Sequence, residues 1–275
     1  MNGKTLWTVL GAVLIGLVYF GVVMGASMGL VMLNANASPQ IVWFPLPVLA
    51  ILVGAMLWAQ RRWDIGLSHP AGVPWARVYV IGIALTALGM AAAVVQGKFS
   101  GYVRATELLD ADVSPMFTMT YAIFMSVLAA ILAEVTFRGV IQARMQTVLS
   151  VWPTVVIIGV VNVLAHRWGP EIPLNWLGLF VTLAGWTYLR WLSQSLWPPL
   201  ILHAAVNLLV AVGLWFRGPL AHADVANSTV TVIAVIGLIG LGVAAALARD
   251  MQKPGSGADV GDLTSLGSGL NLGKN

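Results

Sequence analysis

Apolar residues along this chain come in long unbroken runs, without the strict alternation that a half-buried strand requires. Eight runs stand out, at about 6–33, 41–59, 76–96, 116–145, 151–166, 174–192, 195–215 and 229–248. A helix crossing a hydrocarbon layer about 30 Å thick needs about 20 mostly apolar residues, so these runs have the length of transmembrane helices, the fifth being the shortest. No polar water is available in that layer to satisfy peptide groups, and continuous apolar runs do not suit the dyad pattern of a barrel wall. The pattern therefore predicts an all-α, polytopic membrane protein of about eight transmembrane helices.

Composition sharpens that picture. With 59% hydrophobic residues, 9% charged residues and a mean hydropathy of +0.89 over 275 residues, a soluble globular domain is excluded. The first run begins just after Lys4 and continues past Gly25, Ala26 and Ser27. It is too long for a secretory signal and reads as a retained helix. Cysteine is absent, which removes thiol nucleophiles, thiolate metal sites and disulfides together. The net charge of +4 is spread over loops and is no argument for nucleic acid.

Charge also orients the chain. Placing the N-terminus inside puts Lys4, Arg61, Arg62, Arg77, Arg144, Arg190, Arg249 and Lys253 on the inner side, against Lys98, Arg104, Arg167 and Arg217 outside. Short loops rich in Lys and Arg stay cytoplasmic, so both termini are expected there. The loop 97–115, with Glu107, Asp110 and Asp112, then faces outward. Residues 1–250 read as a single transmembrane helical domain, and 251–275, with its GSGADVGDLTSLGSGLNLGKN end, reads as a flexible Gly/Ser-rich cytoplasmic tail. The apolar runs imply the lipid bilayer as a partner.

Against this background Glu134 is out of place: it is the one acidic residue well inside a predicted span. Intramembrane ionisable groups are costly and normally face a protein interior or a wet cavity. Arg138 follows at i+4, on the same helix face and in the favourable order, so a structural ion pair is one reading. Two further spans carry polar groups. His166 closes VVNVLAH, and His203 with Asn207 forms another i, i+4 pair in LILHAAVNLL. Counted at about 1.5 Å per residue, Glu134, His166 and His203 reach depths compatible with one polar intramembrane cavity. A carboxylate and an imidazole can share the deprotonation of water. The same groups could hold zinc (Zn) through two imidazoles and a carboxylate, although no HExxH run supports it, or serve as a proton relay in a transporter.

The order and context of AEVTFRG at 133–139, NVLAH at 162–166 and HAAVN at 203–207 resemble the CAAX protease and bacteriocin-processing (CPBP) family of intramembrane glutamic proteases. WDIGLSHP at 63–70 and SQSLWPPLILHAAVNLL are similar to that family's connection before the third helix and its approach to the last motif, so the likeness covers about 60–210. The resemblance implies peptide-bond hydrolysis in the membrane without a cofactor, on a membrane protein or peptide substrate. It implies Glu134, His166, His203 and Asn207 as catalytic residues: a glutamate and the first histidine activating water, the last histidine and asparagine stabilising the oxyanion, and Arg138 pairing with Glu134. No metal is implied.

This chain departs from the pattern at two positions. Ala133 stands where the family's first, water-activating glutamate belongs, and Asn162 where a phenylalanine usually precedes the histidine. Adjacent helix positions point about 100° apart, so Glu134 takes over the geometry of position 133 only through a local rotation or bulge. The alternatives are an endopeptidase with a shifted base and a catalytically impaired pseudoprotease acting as a binding, immunity or scaffold protein.

Overall fold

The computed structural model describes residues 2–38, 41–101, 103–104, 115–166, 172–217 and 220–251. The outer loop expected at 97–115 lies mostly outside the described residues, as does the tail beyond Met251. The described chain is built from helices: α1 (Gly3–Ala37), α2 (Pro45–Trp63), α3 (Trp75–Ser100), α4 (Pro115–Ala133), a π-helical segment (Glu134–Ile141), α5 (Gln142–Met145), α6 (Val151–His166), α7 (Ile172–Ser193), α8 (Trp197–Arg217) and α9 (Asn227–Met251). α4, the π segment and α5 form one continuous rod, so the rods coincide with the eight apolar runs. A two-residue antiparallel pairing of Val103–Arg104 with Leu220–Ala221 ties the ends of α3 and α8.

The protein is an all-helical, polytopic membrane protein. Four helices, Gly3–Ala37, Trp75–Ser100, Met116–Met145 and Asn227–Met251, are long and apolar enough to cross a bilayer. α1 shows how lipid changes the usual logic. Its buried positions, Val9, Ala12, Gly16, Tyr19, Val23, Ser27, Val31 and Asn34, recur every three or four residues and form one stripe. The opposite face exposes Leu10, Leu14, Val18 and Val22. Both faces are apolar because both contact apolar surroundings, so hydropathy alone does not reveal the packed side.

Helix ends are set by local chemistry. Asn34 folds the chain back after α1: its side-chain oxygen accepts from the Trp43 and Phe44 N–H groups at 2.8 and 3.0 Å, and its Nδ2 donates to Ile41 O at 2.8 Å. Pro45 then opens α2, at a position where a missing N–H costs nothing. The α2 exit, WDIGLSHP, docks on the approach to α8. The Leu196 N–H donates to Gly66 O, Ser195 Oγ to Ser68 O and Trp197 Nε1 to Leu67 O, each at 2.8 Å.

The helices approach closely where side chains are small, as expected where packing rather than water drives association. α3 packs on α7 and α9. A Cβ at Gly178 of α7 would fall 2.6 Å from the Ala93 backbone of α3. Gly237 and Gly240 of α9 likewise lie against Ala91 and Ala84. At one end of the bundle the basic residues gather: Arg77 bonds Asp250 at 2.8 Å, the Arg144 guanidinium lies 5.5 Å from the Trp63 ring, and Arg190 reaches Ile65 O at 3.4 Å. His222 is buried against Gly97 of α3, because the turn after Leu220–Ala221 folds over the end of that helix.

If the α3–α7 contact holds the bundle together, Gly178→Leu forces the two backbones apart. Overpacking of this kind typically costs about 1–3 kcal/mol. Thermal melts in detergent should show a clear fall for Gly178→Leu and none for Gly54→Ala, whose added methyl meets nothing within 4 Å.

Candidate active site

The rod that carries AEVTFRG changes its hydrogen bonding at the glutamate. From Glu134 to Ile141 the chain is π-helical, and the Gln142 N–H reaches back to Phe137 O, five residues earlier. A π turn is wider than an α turn and recurs at functional sites. It is the kind of distortion that position 134 was expected to need. All eight residues of the segment are buried, so the distortion is held by packing on every side.

Glu134 and Arg138 have no exposed surface. Arg138 Nη1 donates to Glu134 Oε1 at 3.1 Å, and Nη2 donates to Leu183 O of α7 at 2.6 Å. His203 of α8 brings its Nδ1 to the same carboxylate oxygen, at 2.7 Å. One carboxylate oxygen thus joins the π segment to α7 through Arg138 and to α8 through His203. His203 is 3% exposed, so the three groups form a dry cluster in which an ion pair is little screened.

α7 supplies a wall the sequence reading did not single out. Trp186 lies 4.5 Å from His203 between ring centroids and 6.0 Å from the Arg138 guanidinium. Its Nε1 donates to Thr86 Oγ1 on α3 at 2.9 Å, and that hydroxyl donates to Gly82 O at 2.8 Å. Thr187 donates to Leu183 O, and Gln142 Nε2 donates to Thr187 O, both at 2.9 Å. The available signal was position: most tryptophans of this chain sit near span ends, where interfacial anchoring explains them, whereas Trp186 is inside α7.

Asn207, one turn beyond His203, is half-buried, and its Nδ2 donates to Ser126 O of α4 at 3.2 Å. It is therefore tied to α4, two turns before Glu134 in the rod, rather than bonded to the carboxylate. His166 is the last residue of α6, and its side chain lies outside the described residues. Ala133 is 2% exposed and packs in a cluster with Val9, Ala12, Phe137, Ile141, Met145 and Ile158. Positions 133 and 134 thus serve different faces: the methyl packs with residues of α1 and α6, and the carboxylate meets Arg138 and His203 of α8. For a metal, Glu134 and His203 offer one carboxylate and one imidazole. Among the described residues no group of three His, Asp or Glu converges.

Residues 115–209 match the family model described as type II CAAX prenyl endopeptidase Rce1-like. The matched stretch contains the π segment, α7 and the His203–Asn207 turn, and this is the CAAX protease group that the motifs resemble. No curated protein and no solved structure matches the chain.

The buried pair makes a stability prediction. Arg138→Ala leaves a carboxylate and the Leu183 carbonyl without their donor, and breaking a buried pair in this way costs about 3–5 kcal/mol. Arg138→Lys should recover only part, since an ammonium does not reproduce the planar fork that reaches both acceptors. Melts of the detergent-solubilised variants check the order wild type, Lys, Ala. An unchanged melting temperature for Arg138→Ala would refute it.

Proposed function

We propose, taking that family match as premise, that this protein is an intramembrane endopeptidase of the CAAX protease type. It hydrolyses a peptide bond of a membrane-associated protein or peptide with an activated water. The observation that carries this reading is the 2.7 Å contact between Glu134 Oε1 and His203 Nδ1 inside a cluster sealed from solvent. Both termini and the basic end of the bundle face the cytoplasm, by the excess of Arg and Lys there.

The hydrogen bonds support this chemistry. With Glu134 as the anion of the Arg138 pair and His203 Nδ1 as its donor, Nε2 is the ring nitrogen that carries the lone pair. An imidazole in that tautomer is a general base, with the carboxylate holding its orientation and stabilising the imidazolium that forms. The resemblance alone implies an oxyanion donor at this position, so the role of His203 shifts here from donor to base. Water attacks the scissile carbonyl carbon and its proton passes to Nε2. The resulting imidazolium then gives that proton to the departing amine as the C–N bond breaks.

Asn207 retains a role as oxyanion donor, since its Nδ2 carries two hydrogens and Ser126 O takes one. A donor aimed at the developing oxygen in a dry site lowers the barrier by several kcal/mol. His166, as the resemblance implies, assists the water from the end of α6. Ala133 is no obstacle in this scheme, because the base is supplied by the carboxylate–imidazole pair on the α8 side.

Wild type, Glu134→Gln, His203→Ala and Ala133→Glu are to be compared on a membrane-associated peptide library in proteoliposomes, with folding checked by melts. Wild type should cleave, and Glu134→Gln and His203→Ala should each lose about 10²- to 10⁴-fold, the usual worth of general-base assistance. Ala133→Glu should be destabilised by its apolar neighbours and bring no large gain. Cleavage appearing only in Ala133→Glu would overturn the shifted-base enzyme in favour of a pseudoprotease.

A further inference from the structure

From Glu134 toward the basic end of the bundle, every fourth residue of the rod is polar: Glu134, Arg138, Gln142 and Gln146. Most surrounding positions are apolar core, including Val135, Phe137, Val140, Ile141 and Met145; buried Thr136, whose Oγ1 also lacks a partner among the described residues, is the exception. Glu134 and Arg138 have no exposed surface and Gln142 is 1% exposed. At α-helical rise the row is about 18 Å long, which takes it from the candidate site to the end of α5.

Each member has one polar atom engaged or near the surface and one buried atom without a hydrogen-bond partner among the described residues. Those atoms are Glu134 Oε2, Arg138 Nε, Gln142 Oε1 and Gln146 Nε2. In order they are an acceptor, a donor, an acceptor and a donor. The engaged atoms fix this polarity. Arg138 Nη2 is held by Leu183 O and Gln142 Nε2 by Thr187 O, which turns Gln142 Oε1 to the row. Buried polar groups are nearly always hydrogen-bonded, and four orphans in sequence would be strongly destabilising. Water both donates and accepts, so it satisfies an alternating row that no single side chain could satisfy.

We propose that Gln142 and Gln146 are positioning residues that bind a file of water molecules running from the basic end of the bundle to Glu134. The file delivers the hydrolytic water to Glu134, which has no exposed surface. Its use in hydrolysis rests on the function proposed above, whereas its existence does not. The energetic logic explains why amides occupy these positions: they hydrogen-bond water without adding a second buried charge beside Glu134 and Arg138.

The chain contains no cysteine, so single thiols report access directly. Gln142→Cys and Gln146→Cys, with the equally apolar-facing controls Val140→Cys and Met145→Cys, are to be made in the full chain and reconstituted. Silver ion, close to water in size, is added, and the thiols left unreacted are counted with a maleimide after denaturation. Thiols react as thiolates, which form only where water reaches, so the row positions should be blocked at least about tenfold faster than the controls. A rate at Gln142→Cys as slow as at the two controls overturns the file, whatever the rate at the partly exposed position 146; should Gln142→Cys fail to fold, magnetisation transfer from water to the Gln142 side-chain amide in isotope-labelled wild type decides, and its absence overturns the file. Repeating the assay in a Glu134→Gln background should give the same rates, so a failure of the protease reading stays distinguishable from a failure of the file. In the enzyme assay, Gln142→Leu should lower kcat by about 10²-fold with little change in KM, and Gln142→Asn should restore part of it. Silver access combined with an unchanged kcat in Gln142→Leu would overturn the delivery role.

Discussion

A carboxylate and a guanidinium without exposed surface persist in an apolar interior only when their hydrogen-bonding capacity is met by elements that cannot move away. Glu134 and Arg138 meet this condition by recruiting two other helices, through Leu183 O on α7 and His203 on α8. Much of the surrounding architecture follows. Trp186 packs against the cluster with its ring tilted 35° to His203, Thr86 receives the indole N–H, and α3 comes close enough to supply it. The small residues at the α3–α7 contact allow that approach. The polar cluster and the tight helix packing are therefore one constraint seen from two sides.

The same constraint underlies the proposed chemistry. The guanidinium and the imidazole share one carboxylate oxygen, and in the proposed mechanism that contact orients His203 for its role as base. The π segment lets the rod present Glu134 to α8 while Ala133 remains in the apolar contact with α1 and α6. A position that looks like a loss when the motif is aligned residue by residue thus sits on a different face from the carboxylate that engages the histidine. Access is the counterpart: a cluster that excludes bulk water sharpens its electrostatics, and the proposed hydrolysis then calls for a defined route for water.

Much of this was legible in the residues. The helical class and the rods followed from the length of the apolar runs, because the bilayer sets that length independently of tertiary contacts. Glu134, Arg138 and His203 were visible because charge in an apolar run is rare, and i, i+4 spacing already places Glu134 and Arg138 on one face. Trp186, Thr86 and Gln142 were missed. Tryptophan and threonine are unremarkable in membrane helices, and a neutral amide carries no charge to mark it.

By itself, then, the sequence determined the spans, the absence of thiol chemistry and the ionisable residues that had to find partners. It could not choose among those partners. In lipid both faces of a helix are apolar, so periodicity does not mark the inward face, and in water-soluble proteins that marking is what links pattern to packing. Only the tertiary structure decided that Glu134 pairs with His203 as well as Arg138, that Asn207 turns to Ser126, and that α7 closes the site with Trp186. The physical reason is that small-residue contacts and backbone carbonyls made those choices, and neither leaves a signature in hydropathy or charge.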